Sequence, residues 1–261
     1  MLLAIDVGNT NTVFAVHDGG DFVAEWRCNT VSVRTADQYF VWLNQLMGHS
    51  GLDIRAISDV VISNVAPATL FNLRVLCDRY FDSRPLVVGK PDCALPVDVR
   101  VDFPEQVGAD RLVNTAAAHA AYGGNLIVLD FGTATTFDVV DADGAYIGGV
   151  IAPGINLSLE ALKNAAAHLP HIDVSAPQQV VGTNTVHCMQ SGIYWGYIGL
   201  IEGVCDRISA ERARKMTVIA TGGLAPLFAR GTTAIETVDT GLTIRGLVLI
   251  HRYNTKGSYD A

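Results

Sequence analysis

What the sequence is short of narrows its reading before any motif is considered. Of 261 residues only 18 are Lys or Arg, against 26 Asp or Glu, for a net charge of −8. No basic run is present, which argues against nucleic acid as the main partner, because phosphate backbones are gripped by clustered cations. No apolar stretch approaches the roughly 18 residues of a membrane span, so no membrane partner is expected. Met1 leads straight into a strand-like run, and no targeting segment is visible. The five cysteines, Cys28, Cys77, Cys93, Cys188 and Cys205, include no CxxC pair and read as reduced thiols of a cytoplasmic protein. The seven histidines show no metal-ligand spacing, and His168 and His171, either side of Pro170, read as loop residues. The common nucleotide and hydrolase signatures are missing as well. Gly89-Lys90 is followed by Pro91 rather than completing a P-loop, and there is no GxGxxG, HExxH or GxSxG.

What is present is a repeat. Residues 2–19 read LLAIDVGNTNTVFAVHDG and residues 126–144 read LIVLDFGTATTFDVVDADG. At a spacing of 124, Leu2 falls on Leu126, Asp6 on Asp130, Gly8 on Gly132, Thr12 on Thr136 and Val16 on Val140. Each copy is an apolar strand, then Asp-x-Gly, then a turn rich in hydroxyls and amides, then a β-branched strand. The glycine lets the backbone turn tightly and admits a bulky ligand close to the main chain. Successive N–H groups and the hydroxyls of such a turn form a concave anion site. A polar hairpin explains either copy taken alone. Two copies, one in each half, favour a duplicated phosphate-handling domain with a cleft between the copies.

Periodicity supports the duplication. Strands are expected at 2–8, 12–17, 21–27, 59–64 and 85–88, and helices at 35–47, 67–81 and 109–122, with 92–107 irregular. The second half repeats the plan, with strands at 126–131, 135–141, 145–151 and 217–221 and helices at 156–168, 185–209 and 241–253. Pro153-Gly154 reads as a turn. The boundary falls near 122–125, giving an N-terminal domain 1–123 and a C-terminal domain 124–261, both α/β. Glycines at 192, 196, 199 and 203 give the long helix a small-residue face suited to a close helix contact.

The ordered motifs DVGNTNT (6–12), GADR (108–111), DFGTATT (130–136), GGVIAPG (148–154), NTVHCMQSG (184–192) and ATGG (220–223) resemble type III pantothenate kinase, within the acetate and sugar kinase, Hsp70 and actin superfamily. The resemblance runs from Met1 to about His251. It implies two duplicated actin-like, ribonuclease H-like domains and ATP-dependent phosphorylation of pantothenate to 4'-phosphopantothenate, the first step towards coenzyme A. Asp6, Val7, Gly8, Asn9, Thr10, Asn11, Thr12 and Val13 match the first phosphate loop, and residues 130–136 the second, with Thr133 close to ATP. Gly108, Ala109, Asp110 and Arg111 match the pantothenate motif, with Asp110 as general base, and Thr185 matches a substrate-contacting threonine near a homodimer interface. Asp130 matches the aspartate that holds a monovalent cation, potassium or ammonium; ATP is expected with Mg²⁺. The chain departs from the family at Val101-Asp102-Phe103-Pro104, where Tyr-Asp-Asn-Pro is frequent, and Val101 offers no hydrogen bond.

The roles also make sense residue by residue. Asp110 opens an Ala-rich helix, so it projects from a rigid element, although the helix dipole alone accounts for an isolated Asp there. Arg111 suits a substrate carboxylate, with a surface ion pair as the plainer alternative. Rival readings are a non-catalytic nucleotide-binding relative acting as a regulatory accessory factor, and another sugar or acetate kinase.

Overall fold

The computed structural model describes residues 1–165 and 169–255; His168 lies outside them. The chain divides into two compact units, Met1–Ala120 with Leu242 onward, and Ala121–Gly241.

The first unit contains β1 (Leu2–Val7), β2 (Asn11–His17), β3 (Phe22–Asn29), α1 (Ala36–His49), β4 (Asp59–Asn64), α2 (Leu70–Phe81), β5 (Leu86–Val87) and α3 (Ala109–Tyr122). Its sheet runs β3-β2-β1-β4-β5, with β1 antiparallel to β2 and parallel to β4. The second unit contains β6 (Leu126–Phe131), β7 (Ala134–Val140), β8 (Tyr146–Pro153), α4 (Ile155–Ala165), α5 (Thr185–Glu211), β9 (Thr217–Gly222), α6 (Ala225–Phe228) and β10 (Thr237–Val238). Its sheet, read β8-β7-β6-β9-β10, has the same connectivity and the same strand directions. The duplication is therefore a duplication of topology.

β1 is apolar from Leu2 to Ile5 because both of its faces are covered. Leu3, Ile5 and Val7 pack with α1 and α2 residues such as Tyr39, Leu43 and Leu73. Leu2 and Ala4, on the opposite face, pack with Leu112 and Val113 of α3. Strand alternation then puts Asp6 on the α3 face. In the second unit Ile127, Leu129 and Phe131 pack with Tyr197, Ile198 and Ile201 of α5.

The final helix, α7 (Leu242–Thr255), belongs to the first unit. The expected division at 1–123 and 124–261 assigned it to the second half. Its apolar stripe, Ile244, Leu247, Val248 and Ile250, packs with α3 and the α3 side of the first sheet. Gly246 permits the approach, since a Cβ there would lie 2.5 Å from the Val113 carbonyl oxygen. Thr243 donates to Asn114 Oδ1 at 2.7 Å across the same contact. Sequence periodicity reports which stripe of a helix is apolar, not which sheet covers it.

Three local differences from expectation have plain causes. The helix predicted from residue 67 begins as a 3₁₀ turn, Pro67–Thr69, before α2. β8 continues through Pro153, which pairs with Ala134; as an edge strand β8 tolerates a proline. The short elements α6 and β10 are too brief for a periodic signal.

Candidate active site

The two Asp-x-Gly turns lie at corresponding positions of the two sheets. In the first, β1 and β2 pair up to Val7↔Thr12, leaving the four-residue turn 8–11. In the second, β6 and β7 pair up to Phe131↔Thr135, leaving the three-residue turn 132–134. The spacing of 124 is thus correct before the turn, slips to 123 along β2 and β7, and returns to 124 at the end of β3 and β8, where Asn29 pairs with Asn11 and Pro153 with Ala134. Thr12 corresponds to Thr135, not to Thr136. A one-residue slip moves a strand side chain to the other face, and the burial agrees: Thr12 and Thr135 are both fully buried. Thr12 faces the α1 layer, where its hydroxyl lies 2.8 Å from Thr30 Oγ1, and Thr135 faces the α5 layer, where its hydroxyl is sealed from solvent without a hydrogen bond. The exposed residues of the turns are Asn9, Thr10 and Asn11 in the first and Gly132 and Thr133 in the second.

Backbone bonds fix both turns. Gly8 N–H donates to Asn11 O at 2.9 Å, and Gly132 N–H to Ala134 O at 3.0 Å. Thr30 N–H donates to Thr10 O at 2.9 Å; its counterpart 124 residues on, Gly154, donates to Thr133 O at 3.1 Å. Gly154 must lack a side chain, because a Cβ would fall 2.1 Å from Thr133 O and 2.7 Å from Gly132 O. On the α5 side, the Tyr197 hydroxyl donates to Pro153 O and lies 3.1 Å from Ser158 Oγ, which ties the end of β8 to the helices behind it.

In the first unit Asp6 ends β1 with Ser63 of β4 beside it in register. Asp6 Oδ1 and Ser63 Oγ are both sealed from solvent, and neither makes a hydrogen bond of good geometry. They still face each other closely enough for the hydroxyl to draw the carboxyl's pKa down. Burial outweighs it and pushes Asp6 up to about 7; the negative Asp110 adds to the rise, while Ser63 and Arg27 oppose it.

Asp110 sits in the first turn of α3, with Oδ1 accepting from Arg111 N–H at 2.8 Å. Its carboxyl folds back over Gly108, where a Cβ would lie 2.6 Å from that oxygen, so the glycine of the GADR motif makes room for the aspartate. Burial holds Asp110 above the usual carboxylate range, against the pull of the Arg111 amide and guanidinium. Ala109 is buried against the sheet. Val7 and Val13 are core residues that carry the turn rather than line it. One unit therefore brings Asp6, the 8–11 turn, Ser63 and the 108–111 motif to one end of a sheet, with two electrostatically coupled carboxyls.

In the second unit Asp130 ends β6, in register with Thr136 and Thr221. Gly222 takes φ +89°, and a Cβ there would lie 2.6 Å from Phe131 O and 3.0 Å from Asp130 Oδ1. This is a position that only glycine fills without strain. Thr185 is the first residue of α5 and is exposed; the helix is capped by Asn184, whose Oδ1 accepts from His187 N–H at 2.9 Å.

Sequence reasoning missed Ser63 and Thr30. Nothing in one sequence marks Ser63, because its significance is its register with Asp6. Thr30 had a signal: extending the repeat past the hairpin aligns it with the last glycine of GGVIAPG. Among the described residues no cluster of three or more His, Cys, Asp or Glu side chains is placed to hold a metal. No helix among them is long and apolar enough to cross a membrane.

The profile of the family described as type III pantothenate kinase matches residues 2–207. The chain belongs to the type III pantothenate kinase family. Two relatives of that description agree over nearly the whole length. One, from Dinoroseobacter shibae, is 66% identical over 97% of this chain and 99% of its own. Another, from Roseobacter denitrificans, is 64% identical over 97% and 98%. Among solved structures, a Sinorhizobium meliloti protein provisionally assigned as a 2-dehydro-3-deoxygalactonokinase superposes with a TM-score of 0.64 at 14% identity, covering 100% of this chain and 99% of that one. That likeness shows a shared α/β fold over the whole chain.

Proposed function

We propose that this member of the family transfers the γ-phosphoryl group of ATP to the primary hydroxyl of pantothenate, giving 4'-phosphopantothenate on the way to coenzyme A. The observation that carries the reading is the pair of coupled carboxyls, Asp6 and Asp110, beside the first Asp-x-Gly turn.

Phosphoryl transfer asks a protein mainly for positioning and for stabilisation of negative charge. The exposed 8–11 and 132–134 turns offer backbone and side-chain donors to phosphate oxygens. Asp110, fixed on the first turn of a helix, accepts the proton of the attacking hydroxyl. Arg111 supplies the cation for the substrate carboxylate, and Gly223, where a Cβ would meet nothing within 4 Å, leaves space for the adenosine. Family membership implies a divalent metal with ATP. The donor set fits one: Asp6 presents a buried, unpartnered carboxyl oxygen, and Mg²⁺ typically takes one or two carboxylates, with phosphate oxygens and water completing its shell. When bound it neutralises charge on the phosphates. The oxygen donors around Asp130, with the Thr136 and Thr221 positions in register, suit a monovalent cation, potassium or ammonium.

The protein is further proposed to act as a cytoplasmic homodimer with Thr185 near the substrate. Support comes from α5, where a Cβ built on Gly192, Gly196 or Gly199 meets nothing within 4 Å. Among the described residues nothing packs against these glycines, and a neighbouring backbone has room to approach.

The rival reading, a non-catalytic relative, is disfavoured by the same carboxyls. A buried polar atom without a partner costs about 1–3 kcal/mol, and a chain freed from catalysis has no reason to retain that cost. ATP consumption measured with pantothenate, glycerol, acetate and hexoses in turn decides the matter. Turnover is expected with pantothenate alone. Turnover with none of them supports the non-catalytic reading, and turnover with a sugar removes the assignment of substrate.

A further inference from the structure

We propose that Thr30 is a positioning residue for the first phosphate turn, an inference that rests on the kinase reading above. Thr30 lies just past β3, and nothing in the motif pattern includes it. Its hydroxyl donates to Gly8 O at 2.8 Å and lies 2.8 Å from Thr12 Oγ1. A hydroxyl has one proton to give. Since Thr30 gives its proton to Gly8, the proton shared with Thr12 must come from Thr12. The result is a directed chain: Thr12 hydroxyl to Thr30 hydroxyl to Gly8 carbonyl. The Thr30 amide adds a second grip at Thr10 O, 2.9 Å away.

The consequence is electrostatic. In the turn 8–11, Gly8 O is taken by the Thr30 hydroxyl, Thr10 O by the Thr30 amide and Asn11 O by the Gly8 amide. Three of four carbonyls are thereby committed to partners within the protein. A carbonyl oxygen turned towards a phosphate repels it, so committing them leaves the exposed side of Asn9, Thr10 and Asn11 to its donors. Thr30 supplies two of the three commitments from one residue.

The second copy shows why the brace is needed. Gly154, the counterpart of Thr30, keeps the backbone bond but has no hydroxyl to offer, and its turn is one residue shorter. The longer turn of the first copy has more conformations to lose. The Thr30 side chain occupies the place where the second copy has only hydrogen.

The test compares wild type, Thr30→Val and Thr30→Ser by calorimetric titration with a non-hydrolysable ATP analogue and by steady-state kinetics in both substrates. Removing the hydroxyl should weaken analogue binding and raise KM for ATP by about five- to tenfold, leave KM for pantothenate within about twofold, and be reversed by Ser, as expected for one lost hydrogen bond. Wild-type analogue affinity in Thr30→Val would overturn the proposal. So would an equal loss towards both substrates that Ser does not rescue, which is the mark of general fold support. If Thr30→Val gives no cooperative melt, Thr12→Val cuts only the outer link. A raised ATP KM there supports the chain, and unchanged kinetics overturn it. The analogue titration needs no pantothenate, so it decides the role of Thr30 even where turnover fails and the kinase reading with it.

Discussion

The two halves share one strand plan and one pair of backbone hydrogen bonds across each turn, yet they hold those turns by opposite means. The first half adds a side chain, Thr30, to a four-residue turn. The second removes one, at Gly154, and closes a three-residue turn against backbone. Chemistry is divided as unevenly. Asp6 shares its surroundings with a second carboxyl, Asp110, whereas Asp130 has a close-packed glycine, Gly222, against it. A duplicated fold repeats what the backbone must do and leaves side chains free to diverge. The half that carries GADR is the half with two neighbouring carboxyls.

That comparison can be broken most sharply at Asp110, which has no counterpart in the repeat. Asp110→Asn keeps size and removes basicity, so kcat should fall by about 10²–10⁴ with folding intact. In wild type the base must be ionised to accept a proton, and burial raises its pKa. Activity should therefore fall on the acid side at a pH above the ordinary carboxylate range. Full turnover in the variant would remove the assignment.

The next test asks whether the two braces really differ. Gly154→Ala forces a Cβ to within 2.1 Å of a backbone oxygen, which cannot swing away, and should cost about 1–3 kcal/mol or more. Thr30→Ala, at the equivalent place, loses a hydrogen bond and should cost about 0.5–1.5 kcal/mol. Equal melting temperatures for the two would mean that both turns are held alike.

Asp6 gives a pH-dependent version of the contrast. Its pKa rises from 3.8 unfolded to about 7 folded, so between those values the native state binds more protons than the unfolded one. Stability from this group is therefore present at low pH and lost as pH rises through that window. Asp6→Asn should melt higher than wild type above pH 7, with the gain shrinking towards pH 4, while nucleotide affinity falls. A thermal difference that does not vary with pH would show that the carboxyl is not under this strain.

The smallest expected effect concerns Asp130. Exchanging sodium for potassium or ammonium at constant ionic strength should raise the rate, and Asp130→Asn should abolish the difference between the salts. Equal rates in all three would leave Asp130 without an ion to hold.

The candidate site was largely legible because its motifs are contiguous. Asp-x-Gly, GADR and the late Gly-Gly each lie within a few residues, and each has a local reason: a tight turn, a carboxyl folded over Gly108, a positive φ at Gly222. Ser63 and the buttressing role of Thr12 were not legible, because each depends on a neighbour in another strand. The fixed spacing of 124 misaligned Thr12 because a deletion of one residue within a turn leaves the composition of a Thr-rich stretch almost unchanged.

The sequence by itself determined the order of the longer strands and helices, the duplication and the residues of the Asp-x-Gly and GADR motifs, since these follow from periodicity and short-range chemistry. The tertiary structure alone decided three things. The final helix packs with the first unit, because its apolar stripe and Gly246 match α3. Thr12 and Thr135 face inward, because strand register fixes their side. Asp6 and Asp110, separated by more than a hundred residues in sequence, are electrostatically coupled, because β1 and α3 are packed layers of one unit.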